Sequence, residues 1–441
     1  MSPKSVVRSG FFFVAAALLA QSGHSPSEIG RMALDLLLAG KYPELSAMFS
    51  DFLKQTITLD FLERQVAAQM KEFGQPQSVG EAIVALDGPN NLVSFPVHFS
   101  NTSIHVQFTL NPSGQVAGMY FRPADKPLPD VWKRPAYSRP DLFASREVTV
   151  GSEPWKLGGT LTSPAGKTGA PGIVLVHGPG PNYRDESIFA TRIFEDLAEG
   201  LASRGYAVLR YEKRTRVYGE KMSETGYTLE EETVEDAVRA VAALRSQPEA
   251  DPNRIFVLGH SLGGYAAPRI AERDHKLAGL ILLAAPARPI EDVAYDQSDY
   301  LAHLRGEPSA NDAARLAQLK AQAETVKNLS PEAKNPEILL GLPTEWWLNL
   351  KGYDPAVEAK KLGIPMLVLQ GERDFQVTMK DFTLWKSGLS GRADVTFHSY
   401  PKLNDLFVVG ENRSTPAEYH EPGNVAPEVV DDISAWLSAR H

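Results

Sequence analysis

Apolar residues in the first part of the chain recur with the period of a helix. Ile29, Met32, Leu36 and Leu37 fall at i, i+3, i+7 and i+8, and Phe61, Leu62, Val66 and Met70 follow the same face, so helices are expected between about residues 25 and 73. The period then shortens. Ala82–Leu86, Leu92–Val97, Ile104–Phe108 and Val116–Phe121 predict strands, separated by turn-forming residues at Asp87–Asn91, Ser100–Thr102 and Asn111–Gly114. Helices followed by an antiparallel meander predict a small α+β domain over 23–122. Its histidines, His98 and His105, are expected to be structural or surface groups. Pro123, Pro127, Pro129, Pro135 and Pro140 then predict an extended linker over 123–140.

From 141 to 441 strand and helix patterns alternate, which predicts a doubly wound α/β sheet. Ile173–Val176, Ala207–Tyr211, Ile255–Leu258, Leu280–Leu283 and Met366–Leu369 are short, nearly continuous apolar runs, as parallel strands covered on both faces require. Between about 286 and 363 the alternation stops. That stretch is rich in Ala, Leu, Gln and Glu, with Trp346 and Trp347 near its end, and predicts a helical cap inserted over the sheet.

With 441 residues the chain has room for these two domains. A formal charge of −9 and the absence of a basic run argue against nucleic acid as a partner. There is no cysteine, which removes disulfides, thiolate catalysis and Cys-based zinc sites. No H-E-x-x-H motif and no nucleotide-binding glycine fingerprint occur, so neither metal nor cofactor is expected. At the N-terminus Lys4 and Arg8 precede an apolar run, Phe11–Ala20, too short to span a bilayer but suited to a signal segment. Residues 1–22 are therefore expected to be an export signal, leaving a periplasmic or secreted protein with no stable membrane anchor. Oligomeric state is not readable.

One pentapeptide carries chemistry. Gly259-His260-Ser261-Leu262-Gly263 fits G-x-S-x-G, with a strand pattern before it and a helix-forming stretch after it. A sharp strand-to-helix turn exposes the serine hydroxyl, and its glycines let the backbone turn tightly. Together with Val176-His177-Gly178-Pro179-Gly180-Pro181, Arg184-Asp185-Glu186, Leu209–Arg214, Leu369–Thr378 and Ser414–Tyr419, this motif makes the chain resemble the bacterial serine α/β-hydrolases of the dienelactone-hydrolase and prolyl-oligopeptidase-like branch, over roughly Val174 to Leu437.

The resemblance implies an α/β-hydrolase fold, a small-molecule acyl or ester substrate, Ser261 as nucleophile and Asp374 as the triad acid. Oxyanion donors are then expected from the Leu262 N–H and from Gly178 or Gly180, because Pro179, where relatives often carry serine, has no N–H. The base should be a histidine within Leu403-Asn404-x-Leu406-Phe407, and here that residue is Asp405. A carboxylate has an ordinary pKa of about 4 and is a poor base for a serine hydroxyl at neutral pH. Beside Asp374 it is expected to form a carboxyl pair with one pKa raised. His420 or His398 could substitute as base. His260 is expected to turn away from Ser261, and His177 to be structural. The expected function is an exported, weakened ester hydrolase; a ligand-binding or scaffold protein on the same fold is the alternative.

Overall fold

The computed structural model describes residues 25–440, apart from 51–52, 55–56, 88–89, 112, 124–131, 220, 223–225, 305, 331 and 333–337. The expected export signal, His24 and His441 lie outside the described residues, as do residues 124–131 of the expected linker. The chain divides between Val131 and Trp132 into two compact units.

In the first unit, helix α1 (Pro26–Leu38) starts at a capping box. Ser25 caps the Glu28 amide and the Glu28 carboxylate returns to the Ser25 amide, so two orphan N–H groups are satisfied. A second helical run covers Leu59–Phe61, Leu62–Val66 and Ala67–Phe73. Five antiparallel strands follow: β1 (Pro76–Val79), β2 (Ile83–Asp87), β3 (Asn90–Phe99), β4 (Ser103–Leu110) and β5 (Val116–Pro123), in the order β1-β3-β4-β5 with β2 also along β3. Ala33, Leu34 and Leu37 pack with Val93, Phe95, Val106 and Phe108 between helix and sheet. The patterned strands are all present. β1 escapes the sequence reading because its residues, PQSV, are mostly exposed and show no apolar alternation.

The second unit is built on an eight-stranded mixed sheet. Its strands are β6 (Phe143–Val150), β7 (Leu157–Pro164), β8 (Ala170–Val176), β9 (Ala207–Tyr211), β10 (Ala250–His260), β11 (Gly279–Leu283), β12 (Met366–Gly371) and β13 (Val395–Tyr400), in the order β13-β12-β11-β10-β8-β9-β7-β6. Strands β8 to β13 run parallel to their neighbours, whereas β6–β7 and β7–β9 pair antiparallel. Alternation along each central strand feeds two separate cores. Val174, Val176, Val257, Leu280 and Leu282 face one helical layer, and Ile173, Leu175, Leu258, Ile281 and Leu283 the other. Each such side chain contributes about 1.5–3 kcal/mol by leaving water.

One expectation changes. Residues 132–140, expected as extended linker, are docked on the second unit: Trp132 Nε1 donates to Asp196, Arg134 pairs with Glu199, and Tyr137 donates to the Val425 carbonyl. Aromatic rings and paired charges between the prolines anchor that stretch. The expected cap stretch contains the helices Ile290–His303, Ala310–Lys327, Thr344–Leu350 and Pro355–Lys361. Trp346 and Trp347 are buried within the larger unit, and Trp346 Nε1 donates to Glu232.

Candidate active site

Strand β10 ends at His260, and the helix Leu262–Arg273 begins two residues later, so Ser261 alone makes the turn. It sits at φ 50°, ψ −119°, a region that a residue bearing a side chain rarely occupies. The glycines explain why the turn closes. A Cβ on Gly259 would lie 2.3 Å from the Gly263 carbonyl oxygen, and one on Gly263 would lie 2.1 Å from the Val176 oxygen. The elbow is thus clamped by backbone against backbone. Leu262 opens the helix, so its N–H has no acceptor within it.

The loop after β8 lies beside the serine: a Cβ on Gly178 would be 3.4 Å from Ser261 Cβ. The loop is propped from below. Lys213 Nζ donates to the Gly178 carbonyl at 2.6 Å and to Glu232 at 2.8 Å, and Thr215 donates to the Gly180 carbonyl at 3.0 Å. The Gly178 N–H, expected as an oxyanion donor, is already committed: it donates to Glu186 Oε1 at 2.5 Å. With Pro179 lacking an N–H, Gly180 is the remaining donor among the three loop residues considered.

Asp374 and Asp405 meet on the other side. The turn after β12 wraps the Asp374 carboxylate: Oδ1 accepts from the Gln376 and Val377 amides at 2.7 and 3.0 Å, and Oδ2 from Gln370 at 3.0 Å. Asp405 Oδ2 accepts from Gln376 Nε2 at 2.8 Å, and the same amide reaches the Tyr419 hydroxyl at 2.9 Å. Both carboxyl groups are buried, and each feels the charge of the other. Burial, then the charge of Asp405, push Asp374 well above the usual carboxylate range. Asp405 is raised too, by burial first, with His260 pulling in the opposite direction.

His260 turns away from the nucleophile, as expected, and enters a charged cluster. Its Nδ1 lies 3.2 Å from Glu186 Oε2, and its Nε2 donates to the Asp405 carbonyl at 3.0 Å and lies 3.8 Å from Asp405 Oδ1. Burial would lower its pKa, but Glu186 and Asp405 outweigh burial and raise it to about 10. His260 is therefore an imidazolium at neutral pH and cannot serve as a base. His177 is the opposite case. Burial lowers it to about 4, and it packs neutral against Phe194 and Tyr211.

The substitute histidines fare differently. His398 lies half exposed on the edge strand β13, 3.8 Å from Asp432, its ring tilted against that of Tyr400. His420 ends the short helical turn Pro416–His420, and its side chain lies outside the described residues. Its neighbour Tyr419 is the one that reaches the site. Tyr300, Phe375 and Tyr419 form a stack, with ring centroids 5.2 and 6.0 Å apart. The helix Ile290–His303 is tied to this side by Gln297, which donates to the Gln376 carbonyl, and by Tyr300, which donates to Ser414.

Sequence reasoning did not assign Glu186, Gln376 or Tyr419 to the site. Glu186 stood within a quoted motif and is a buried carboxylate at φ 44°, but neither burial nor φ is visible in a residue string. Gln376 sits two residues after Asp374, the one positional hint available.

Comparison with known proteins identifies the family. The alpha/beta hydrolase family model matches residues 173–402. Esterase EstD of Thermotoga maritima is 37% identical over 398 residues, covering 88% of this chain and 90% of that protein. The quorum-quenching protein AidA of Acinetobacter baumannii is 30% identical over 139 residues, 31% of this chain and 43% of that one. Among solved structures, the acylaminoacyl peptidase of Pyrococcus horikoshii is similar with a TM-score of 0.44 at 16% identity; the match covers 82% of this chain and only 56% of that one. The chain belongs to the alpha/beta hydrolase family.

Proposed function

We propose that this chain hydrolyses small carboxylic esters through Ser261, with Asp405 in the place of the base and limiting the rate. The observation that carries the reading is the backbone of Ser261. It is held in a sparsely populated conformation costing ~1–3 kcal/mol, on a turn whose glycines admit no side chain. That is how a nucleophile is presented. A relative named as an esterase over nearly the whole chain supports the ester class.

In this mechanism Ser261 Oγ adds to the ester carbonyl and its proton passes to Asp405. The Leu262 N–H receives the developing oxyanion, with Gly180 as second donor. The C–O bond then breaks, the alcohol leaves with the proton, and water releases the acyl group from Ser261 by the reverse sequence. The Gln376 amide orients Asp405, and Asp374 lies beside it as a second buried carboxyl. Burial raises the proton affinity of Asp405, which improves a carboxylate as a base but leaves it weaker than an imidazole. Loss of a triad histidine costs about 10⁶-fold in kcat and leaves roughly 10³–10⁴ over water. Activity should therefore be measurable and low.

A second reading, ligand binding without turnover, is favoured by one feature: the charge that Asp374 meets is that of a carboxyl, Asp405, rather than of an imidazole. Initial-rate hydrolysis of p-nitrophenyl acetate by the parent and by Ser261→Ala separates the two. A rate that depends on Ser261 excludes the binding-only reading; a parent no faster than Ser261→Ala removes the hydrolase reading. Export remains part of the proposal, resting on Lys4, Arg8 and the apolar run Phe11–Ala20, and the intact mass of the mature protein tests it.

A further inference from the structure

Three segments flank Ser261: the loop at Gly178, the end of β10 at His260, and the turn carrying Asp405. One buried side chain ties the first two directly and reaches the third through His260. Glu186 Oε1 accepts the Gly178 N–H at 2.5 Å, Oε2 lies 3.2 Å from His260 Nδ1, and His260 Nε2 donates to the Asp405 carbonyl at 3.0 Å. The placement is enforced. Arg184 is drawn outward by Glu147 and Glu212, and Asp185 by Arg210, while Glu186 between them turns inward at φ 44° and is 3% exposed.

The charges follow a simple rule. Glu186 and Asp405 are two carboxylates close to one imidazole, in a space nearly free of solvent. Without a positive charge between them they would repel, and the cheaper outcome is for one to take a proton. Glu186 is fixed as an anion by the Gly178 N–H as well as by His260. The proton would then fall on Asp405 and occupy the group that must accept one from Ser261. His177, which also feels Glu186 and His260, is pushed down by burial to about 4, and Lys213 Nζ donates to the Gly178 carbonyl and to Glu232.

We propose that Glu186 and His260 are positioning residues for Asp405: Glu186 holds His260 as a cation, and His260 holds the Asp405 turn in place and its carboxylate ionised. This rests on the reading of Asp405 as the base. It adds that the substitution in the base position works with a counter-charge drawn from the residue just before the nucleophile.

The test is made first without turnover, on Ser261→Ala protein. The Asp405 carboxyl carbon is followed by ¹³C NMR, assigned by its loss in Asp405→Asn, and the His260 imidazole by ¹⁵N NMR. His260 is expected to stay doubly protonated through pH 8. In Glu186→Gln its titration should move down by at least one pH unit, and in His260→Gln the Asp405 titration should move up by at least one unit. Should His260→Gln fail to fold, Glu186→Gln alone decides, since glutamine keeps an acceptor for the Gly178 N–H and removes only the charge. A His260 that is neutral at pH 7, or an Asp405 titration indifferent to both substitutions, overturns the proposal.

The kinetic arm then uses the Ser261-bearing protein. The acid limb of kcat/KM should move up by about one unit in His260→Gln, with KM changed less than twofold. An absence of Ser261-dependent hydrolysis would count against the hydrolase reading, while the NMR result on the pair would stand by itself.

Discussion

The two sides of the serine are held by different physics. On the nucleophile side, Gly259, Gly263 and the Val176 carbonyl leave no room for a Cβ, and Ser261 is fixed by backbone packing. On the acid–base side, Asp374, Asp405, Gln376 and Tyr419 are held by side-chain hydrogen bonds around buried carboxyls. The comparison teaches which half can change. Altering the elbow means moving β8 against β10. Altering the base needs one side chain on a turn whose flanks, Asn404 and Leu406, keep their own bonds: the Leu406 and Val408 amides both donate to Asn404 Oδ1. A chemical change can therefore sit inside an intact fold.

The sharpest way to break the comparison is at the elbow. Gly263→Ala should cost about 3 kcal/mol or more, because its Cβ meets backbone that cannot yield. Urea denaturation would read the loss, and a fluorophosphonate probe should no longer label Ser261. If Gly263→Ala is as stable as the parent, the elbow is not clamped as described.

The acid–base side should answer to pH instead. The folded pKa of His260 is raised from 6.5 to about 10, so its contribution is full below pH 6.5 and is lost as pH rises through 10. Asp374 is also raised, so the folded form binds a proton that the unfolded chain has released above about pH 4, and stability again falls as pH rises. Unfolding midpoints should drop between pH 6.5 and 10 by the equivalent of a few kcal/mol at most. His260→Gln should flatten that window, and Asp374→Asn should flatten the part contributed by Asp374. A parent equally stable at pH 6.5 and 10 contradicts the charge assignment.

Gln376→Ala removes a hydrogen bond to a carboxylate, worth about 1.5–3 kcal/mol, and should lower Ser261-dependent turnover roughly tenfold or more. Tyr300→Phe removes a single neutral bond to Ser414 and should cost only about 1 kcal/mol in stability, with little effect on rate. Steady-state kinetics and thermal unfolding of both variants would rank them, and the reverse order would mean the Tyr300 tether matters more than the Asp405 contact.

The same contrast explains what could be read beforehand. The central strands were legible because Ile173–Val176 and Leu280–Leu283 are short apolar runs buried on both faces. β6 and β7 were not: most of FASREVTV is exposed, and LGGTLTSP sets glycine, threonine and serine among its buried positions, with only Leu157 and Leu161 as large apolar residues. The elbow was legible because steric limits force glycine at set spacings. Asp405 was legible as a departure, since the residues around it keep the pattern that the resemblance implies. Glu186 and His260 were not assigned, because an ion pair between residues 74 apart in sequence (260 minus 186) leaves no periodic trace. The loss of Gly178 as a donor was hidden for the same reason.

The central claim is that the elbow is competent and the residue at position 405 limits the rate. The most direct measurement is the initial rate of p-nitrophenyl acetate hydrolysis by Asp405→His beside the parent, with Ser261→Ala subtracted from both. The account predicts a gain of about 100-fold or more, because an imidazole of ordinary pKa near 6.5 would then accept the serine proton. A parent that is already fast and Ser261-dependent, with no gain from Asp405→His, would contradict it.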